Sequence, residues 1–243
     1  MTPRISESSG SMGSGERGGK AYYVPSMARV AALFDMDRTL VKQDTARLYT
    51  RYRRDRGEAT WRDSLQVGYW AIQYTLGVID APNVARKALA EFRGTDESVL
   101  IEACKGWFKE YVLPQVQVEG RAAVERHRAE GHFVAIVTGA TVYAAGPLAA
   151  ELGMDEVVYS ELEVEAGRLT GRIIEPLCYG AGKLERARRL AEREGFDLAE
   201  STFYSDSITD LPLLEAVRHP QVVNPDARLR RVAKQRGWPI HVW

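Results

Sequence analysis

Val30-Ala31-Ala32-Leu33-Phe34-Asp35-Met36-Asp37-Arg38-Thr39-Leu40 is the stretch that decides the fold. Its first five residues form a continuous apolar run closed by charge, the pattern of a strand buried on both faces in a parallel sheet. Two carboxylates one residue apart follow where the strand ends, the place at which open α/β sheets assemble their sites. In extended backbone, side chains two apart point to the same side, so Asp35 and Asp37 can converge on one centre. Like charges that close are unfavourable unless a cation or a proton lies between them. The pair reads either as part of a metal site or as two carboxylates with split acid and base roles. An Asp-rich turn or a helix N-cap is the competing reading of these residues taken alone.

Outward from this strand the chain changes character twice. Residues 44–117 show helical spacing without a convincing strand: Leu48 and Tyr52, Trp61 and Leu65, Trp70 and Tyr74, Val84, Ala88 and Phe92, then Leu100, Cys104, Trp107, Phe108 and Tyr111. Gly77, Pro82, Gly94 and Pro114 punctuate the pattern into several helices. From residue 118 strands and helices alternate. Helices are predicted over 120–130, 141–152, 183–194, 210–217 and 227–236, and strands over 132–137, 156–160, 201–205, 221–223 and 239–242. A β-hairpin is predicted over 161–174. That alternation predicts a parallel sheet with right-handed crossovers. The expected organisation is a disordered tail over 1–27, a Rossmann-like α/β core over 28–43 and 118–243, and an all-helical cap over 44–117.

Composition narrows the function classes. The chain has 243 residues, 45% of them hydrophobic, enough to fill a core, and 33 Lys and Arg balance 33 Asp and Glu. Global charge therefore gives no argument for a nucleic-acid or membrane partner. No apolar stretch approaches the ~20 residues of a membrane span. The Ser- and Gly-rich residues 1–27 contain no apolar core of a secretory signal. Cys104 and Cys178 are far apart, so two reduced thiols and a cytoplasmic location are expected. His127, His132, His219 and His241 lack the spacing of a ligand motif and are read as surface or structural residues. Oligomeric state is not readable.

Three later segments fall at the ends of predicted core strands or open the next helix. Thr138-Gly139 places a hydroxyl and a free backbone N–H at a strand end, which suits a phosphate, although a plain turn has the same composition. Lys183 opens a helix after the loop Cys178-Tyr179-Gly180-Ala181-Gly182, where it is either a solvated side chain or a point charge for a phosphate. Asp206 and Asp210 follow the strand ending at Ser205, and Asp210 alone could be a helix N-cap.

In order, the chain carries Asp-x-Asp-x-Thr, a helical insertion, Thr at a strand end, Lys, then Asp-x-x-x-Asp. This resembles the haloacid dehalogenase (HAD) superfamily, and within it subfamily IB, the phosphoserine phosphatase-like hydrolases, over residues 29–243. The resemblance implies a HAD-like core with a helical cap and a Mg²⁺-dependent phosphomonoester hydrolase acting through an aspartyl-phosphate. It implies Asp35 as nucleophile, Asp37 as general acid and then base, and Thr138, Gly139 and Lys183 around the phosphoryl oxygens. Asp35, the Asp37 carbonyl and Asp206 would hold Mg²⁺, with Asp210 supporting them. Asp37 is then expected to titrate higher than metal-bound Asp35.

Arg38 stands where the family commonly has a small residue or Gly, Ser205 where Gly is more usual, and Thr209 where the phosphoserine enzymes carry Asn. The implied substrate is a small phosphorylated metabolite such as phosphoserine, with Asp44 and a cap arginine, Arg86 or behind it Arg93, as head-group candidates. Asp44 could equally be the N-cap of the first cap helix. The aromatic cap also admits a bulkier ester, histidinol phosphate or a lipid phosphate, and Arg38 admits a silent HAD-fold binding module.

Overall fold

A computed structural model describes residues 29–58, 86–87, 89–90 and 92–243. The expectations for the tail over 1–27 and for Trp61, Tyr69, Trp70 and Tyr74 lie outside the described residues. Six strands, β1 (Ala31–Phe34), β2 (Phe133–Val137), β3 (Glu156–Val158), β6 (Thr202–Ser205), β7 (His219–Val223) and β8 (Ile240–His241), form one sheet in the order β3-β2-β1-β6-β7-β8. Every pairing is parallel, with Ala31 opposite Phe133 and Ala32 opposite Thr202.

The β1 composition explains its central place. Ala31 and Leu33 enter one apolar cluster, Ala32 and Phe34 the other, and all four are fully buried. A strand with apolar side chains on both faces is stable only between two covered faces. Among the described residues the cover comes from α3 (Val118–Ala129), α4 (Val142–Leu152), α5 (Ala181–Glu194), α6 (Leu211–Ala216) and α7 (Ala227–Arg236). Phe34 stacks on Tyr204 at 4.4 Å between ring centroids, an aromatic contact that ties β1 to β6.

The described residues between β1 and β2 are helical: α1 (Thr45–Asp55), α2 (Glu97–Trp107), a π-helical turn (Phe108–Val112) and a 3-10 turn (Leu113–Gln115). Leu48, Tyr52, Leu100, Cys104, Trp107, Phe108 and Val112 are buried in one continuous cluster with Phe34, Ile136 and Leu148. The antiparallel hairpin β4 (Glu161–Glu165) and β5 (Arg168–Ile174) stands outside the main sheet. It meets the helical segment through backbone bonds from Gly94 N to the Leu169 carbonyl (2.8 Å) and from Glu97 N to the Gly167 carbonyl (2.9 Å).

The element types match the sequence pattern, and the differences are at the ends. The predicted helix 210–217 is a 3-10 turn (Ile208–Asp210) running into α6, and the predicted helix 183–194 starts earlier, at Ala181. No helix among the described residues is long and apolar enough to cross a membrane.

Candidate active site

The strand order puts the site where it is. From β1 the chain builds β2 and β3 on one side, then crosses to lay β6, β7 and β8 on the other, so the crevice opens beyond the C-terminal ends of β1, β2 and β6. Asp35 is the first residue past β1, and its N–H donates to the Tyr204 carbonyl at 2.9 Å. Lys183, in the first turn of α5, reaches across and donates from Nζ to Asp35 Oδ1 (2.8 Å) and to Asp210 Oδ2 (2.7 Å). All three side chains are buried, with Lys183 only 3% exposed. A buried ammonium survives only with such pairing, so the lysine is no solvated side chain. Asp210 is no simple helix cap either: its carboxylate is taken by Lys183 and by Ser205 Oγ at 2.7 Å.

Asp37 is held separately. Its Oδ1 accepts the Thr45 N–H at 2.7 Å at the start of α1. Asp206 follows β6, and its Oδ2 lies 3.4 Å from Arg38 Nε. Arg38 has φ +59°, the left-handed region that glycine adopts freely and other residues enter at a cost of about 1–2 kcal/mol. This is why the position favours glycine. Here the strained backbone is held by its carbonyl, which accepts from Gln117 Nε2 (3.4 Å) and Asn224 Nδ2 (3.3 Å).

The electrostatics follow from burial. Desolvation lifts Asp35 to about 7, opposed by Lys183 and reinforced by Asp210. Asp37 rises to about 6, first through burial and then through the Asp44 charge, while the Thr45 hydrogen bond acts the other way. Asp206 is held well above the usual carboxylate range by burial and by Asp35, with Arg38 opposing. Lys183 is raised by its two carboxylates, which outweigh its own burial. Burial is the largest cause for both Asp35 and Asp37, so without a cation both carboxyls are held above the usual carboxylate range. A cation on Asp35 would favour its ionised form.

The donor set fits such a cation. Asp35 and Asp206 are two buried carboxylates, and the Asp35 charge disfavours ionisation of Asp206. Hard oxygens in small number are what Mg²⁺ selects.

The structure brings Asp35, Lys183 and Asp210 into direct contact, sets Asp206 within electrostatic reach of all three, and sets Asp37 within reach of Asp44. Thr138 is buried at the end of β2, and its Oγ1 accepts the Ala140 N–H at 3.1 Å. Gly139 is exposed beside it. Asp44 makes no side-chain cap bond on α1, and its carboxylate lies 3.5 Å from Arg47 Nε. Arg86 is directed to Glu175, with Nε and Nη2 at 3.0 and 2.9 Å from the same oxygen, and Arg93 Nε donates to the Thr170 carbonyl.

Sequence reasoning missed three residues, Gln117, Asn224 and Asp226, and the role of a fourth, Ser205. Ser205 tethers Asp210. Gln117 and Asn224 hold the Arg38 carbonyl. Asp226 caps α7, accepts the Ile208 N–H (2.7 Å) and donates its own N–H to the Asp206 carbonyl (2.9 Å), fixing the loop that delivers Asp206. The Asn224-Pro225-Asp226 run after a strand was the available signal for the last.

Packing behind Lys183 gives a test of the geometry. A Cβ on Gly182 would lie 2.1 Å from the Leu177 carbonyl oxygen and 3.2 Å from Pro176 Cβ. Gly182→Ala must therefore push the start of α5 away, at a cost of about 1–3 kcal/mol, and carry Lys183 with it. Denaturant unfolding should show that loss, and turnover should fall about tenfold or more through misplacement. An unchanged midpoint would mean that the loop yields freely.

Residues 32–215 match the family model described as haloacid dehalogenase-like hydrolase. A probable phosphatase of Mycobacterium tuberculosis (strain ATCC 25618 / H37Rv) is 33% identical over 225 residues, covering 88% of this chain and 75% of the relative. A phosphoserine phosphatase of the same strain is 34% identical over 214 residues, covering 86% and 70%. A solved structure of a protein with unknown function from Bordetella pertussis Tohama I has a TM-score of 0.79 at 30% identity, covering 88% of this chain and 98% of that one. The chain belongs to the haloacid dehalogenase-like hydrolase family, in its phosphoserine phosphatase-like branch.

Proposed function

We propose that the chain is a Mg²⁺-dependent phosphomonoester hydrolase working through an aspartyl-phosphate on Asp35, with a small phosphorylated metabolite of the phosphoserine type as substrate. The observation that carries this reading is the buried Asp35, held by Lys183 at 2.8 Å, with a second carboxyl, Asp37, kept apart by Thr45 at 2.7 Å. One carboxylate is fixed for attack and another is free to exchange a proton, which is what covalent phosphoryl transfer requires.

Asp35 would attack phosphorus while the bond to the leaving oxygen breaks and that oxygen takes the Asp37 proton. Asp37, now ionised, would take a proton from the water that attacks the aspartyl-phosphate, and phosphate leaves as Asp35 is regenerated. A group poised at about 6 serves both roles near neutral pH. Lys183 and the residues at the Thr138-Gly139 turn would stabilise charge on the transferred oxygens. Bound by Asp35, Asp206 and the Asp37 carbonyl, Mg²⁺ supplies charge neutralisation at those oxygens. Residues 44–117 are read as the cap that covers this crevice, and Asp44, beside Asp37, as the substrate-facing carboxylate.

The names of the two mycobacterial relatives support a phosphatase, and one of them phosphoserine. The test is a Mg²⁺-dependent turnover panel of phosphorylated amino acids, amino alcohols including histidinol phosphate, sugars and lipids. Preference for phosphoserine supports the substrate, preference for another ester redirects it, and no turnover of any ester favours a binding module.

Arg38 gives a second measurable consequence. Its guanidinium competes with a cation for Asp206, and the pair is partly exposed. Arg38→Gly removes both that competitor and the backbone strain. Half-maximal activity should then need about fivefold less Mg²⁺, the equivalent of the upper end of a partly exposed ion pair, with stability within about 1 kcal/mol of wild type. A higher Mg²⁺ requirement would instead make Arg38 part of the site's support.

A further inference from the structure

Away from the catalytic aspartates, one group of metal-ligating side chains comes together among the described residues: His127, Glu130 and His132. The end of α3 builds it. Glu130 N donates to the Arg126 carbonyl, Gly131 N to that of Arg128 and His132 N to that of His127, each at 3.0 Å. Gly131 has φ +75°, which reverses the chain at that point and lays the His132 ring over His127. His127 Nδ1 and His132 Nδ1 are 2.8 Å apart, and Glu130 Oε2 lies 3.7 and 3.5 Å from them.

We propose that His127, Glu130 and His132 form a binding site for a divalent transition-metal ion of the zinc class, separate from the catalytic carboxylates. Bonds of ~2.0–2.1 Å in a tetrahedral site put ligand atoms about 3.3–3.4 Å apart. Both edges to Glu130 are already close to that, and the nitrogen–nitrogen edge needs to open by about half an ångström as the rings turn. Two imidazoles and one carboxylate suit zinc-class ions, whereas Mg²⁺ selects oxygens, so the two sites differ in the ion they take.

Three further observations support the assignment. The site lies at a helix C-terminus, whose carbonyls favour a cation. His127 Nε2 is 2.9 Å from Tyr204 Oη, so with Nδ1 on the metal the ring can donate its remaining N–H to that oxygen, the usual outer partner of a ligating histidine. His127 is buried and His132 partly buried, so both rings are held in place by packing before an ion arrives. Arg126, the nearby cation, spends Nη2 on Tyr204 Oη at 2.9 Å. The Glu130 side chain is half exposed, which leaves the outer side of the group open to water for the remaining position.

An ion there would tie the end of α3 to the start of β2. Through Tyr204 it would also brace β6, the strand that delivers Asp206. The experiment is a calorimetric Zn²⁺ titration of the full chain without a polyhistidine tag, in excess Mg²⁺, with thermal melting alongside. Wild type should bind one Zn²⁺ and melt at higher temperature with it. His132→Ala and Glu130→Gln, both changes at partly exposed positions, should melt cooperatively, bind at least about tenfold more weakly and lose the thermal shift. Co²⁺ should give a d–d absorption spectrum of nitrogen ligation that His132→Ala abolishes. Absence of Zn²⁺ binding to wild type would overturn the proposal. So would equal affinity in both variants, or binding lost in Asp206→Asn and kept in His132→Ala, which would put the ion at the aspartates.

Discussion

Asp35→Asn should reduce turnover by at least about 10⁴-fold while leaving the fold as stable as wild type, or more so, in chelator at pH 7. The first half follows from removing the nucleophile, because no other group can form the acyl-phosphate and loss of such a residue costs nearly the whole chemical acceleration. The second half follows from linkage. The folded protein holds Asp35 at about 7, above an ordinary carboxylate at 3.8. Between those values the folded state binds more protons than the unfolded state, so stability falls as pH rises through that window. At pH 7 and above the ionised carboxylate costs the fold a few kcal/mol. Asparagine keeps an oxygen for the Lys183 bond without the buried charge. The same reasoning makes wild type gain more from Mg²⁺ than the variant does, since the ion offsets a charge that only wild type carries. Turnover that persists in Asp35→Asn would remove the proposed mechanism. A markedly lower melting temperature in chelator would show that the carboxylate supports the fold.

How far the site could be read from the chain depends on what each residue interacts with. Asp35 and Asp37 were legible as candidates because they directly follow a buried apolar strand, although the strand ends at Phe34 and Asp37 is turned to the start of α1. Asp206 and Lys183 were legible as members of an ordered set, since each sits at a strand end or helix start that local pattern identifies. Their contact could not be read locally: the Lys183–Asp35 bond spans 148 positions and exists only because β1 pairs with both β2 and β6. Arg38 was visible as a departure, but its meaning needed a dihedral angle. The left-handed backbone explains the family's small residue there, and Asn224, 186 positions away, explains how arginine is tolerated. The contact between His127 and His132 was hidden for the same reason. His127 and His132 have no ligand spacing along a straight helix, and only the reversal at Gly131 folds one ring onto the other. Asp44 stands at the N-cap position of α1 in extended backbone, as the local reading had it, but its side chain makes no cap bond.

Lys183→Met should cost about 3–5 kcal/mol of stability and at least about 10²-fold in turnover, with the stability loss depending on pH in a way that identifies its cause. Methionine fills the space of the lysine stem, so the cavity contribution is small and the effect is electrostatic. Without the ammonium, Asp35 and Asp210 are left buried together, and the Asp210 charge disfavours that of Asp35 without opposition from Lys183. The Lys183 pKa is raised above its ordinary 10.5, so its own contribution is present throughout the neutral range and adds no slope there. The slope comes from the carboxylates. Lys183 is the chief group lowering Asp35 towards 7, so its removal moves that titration higher. Between pH 7 and 9, Lys183→Met should therefore lose stability more steeply than wild type. The gap between them should narrow as pH falls towards 5 and Asp35 protonates. A charge-neutralising second change makes the argument decisive: Lys183→Met with Asp210→Asn should recover part of the lost stability but none of the turnover. Equal denaturation midpoints for wild type and Lys183→Met at pH 8 would show that the buried ion pair contributes nothing to the fold. A loss independent of pH would assign the effect to packing instead.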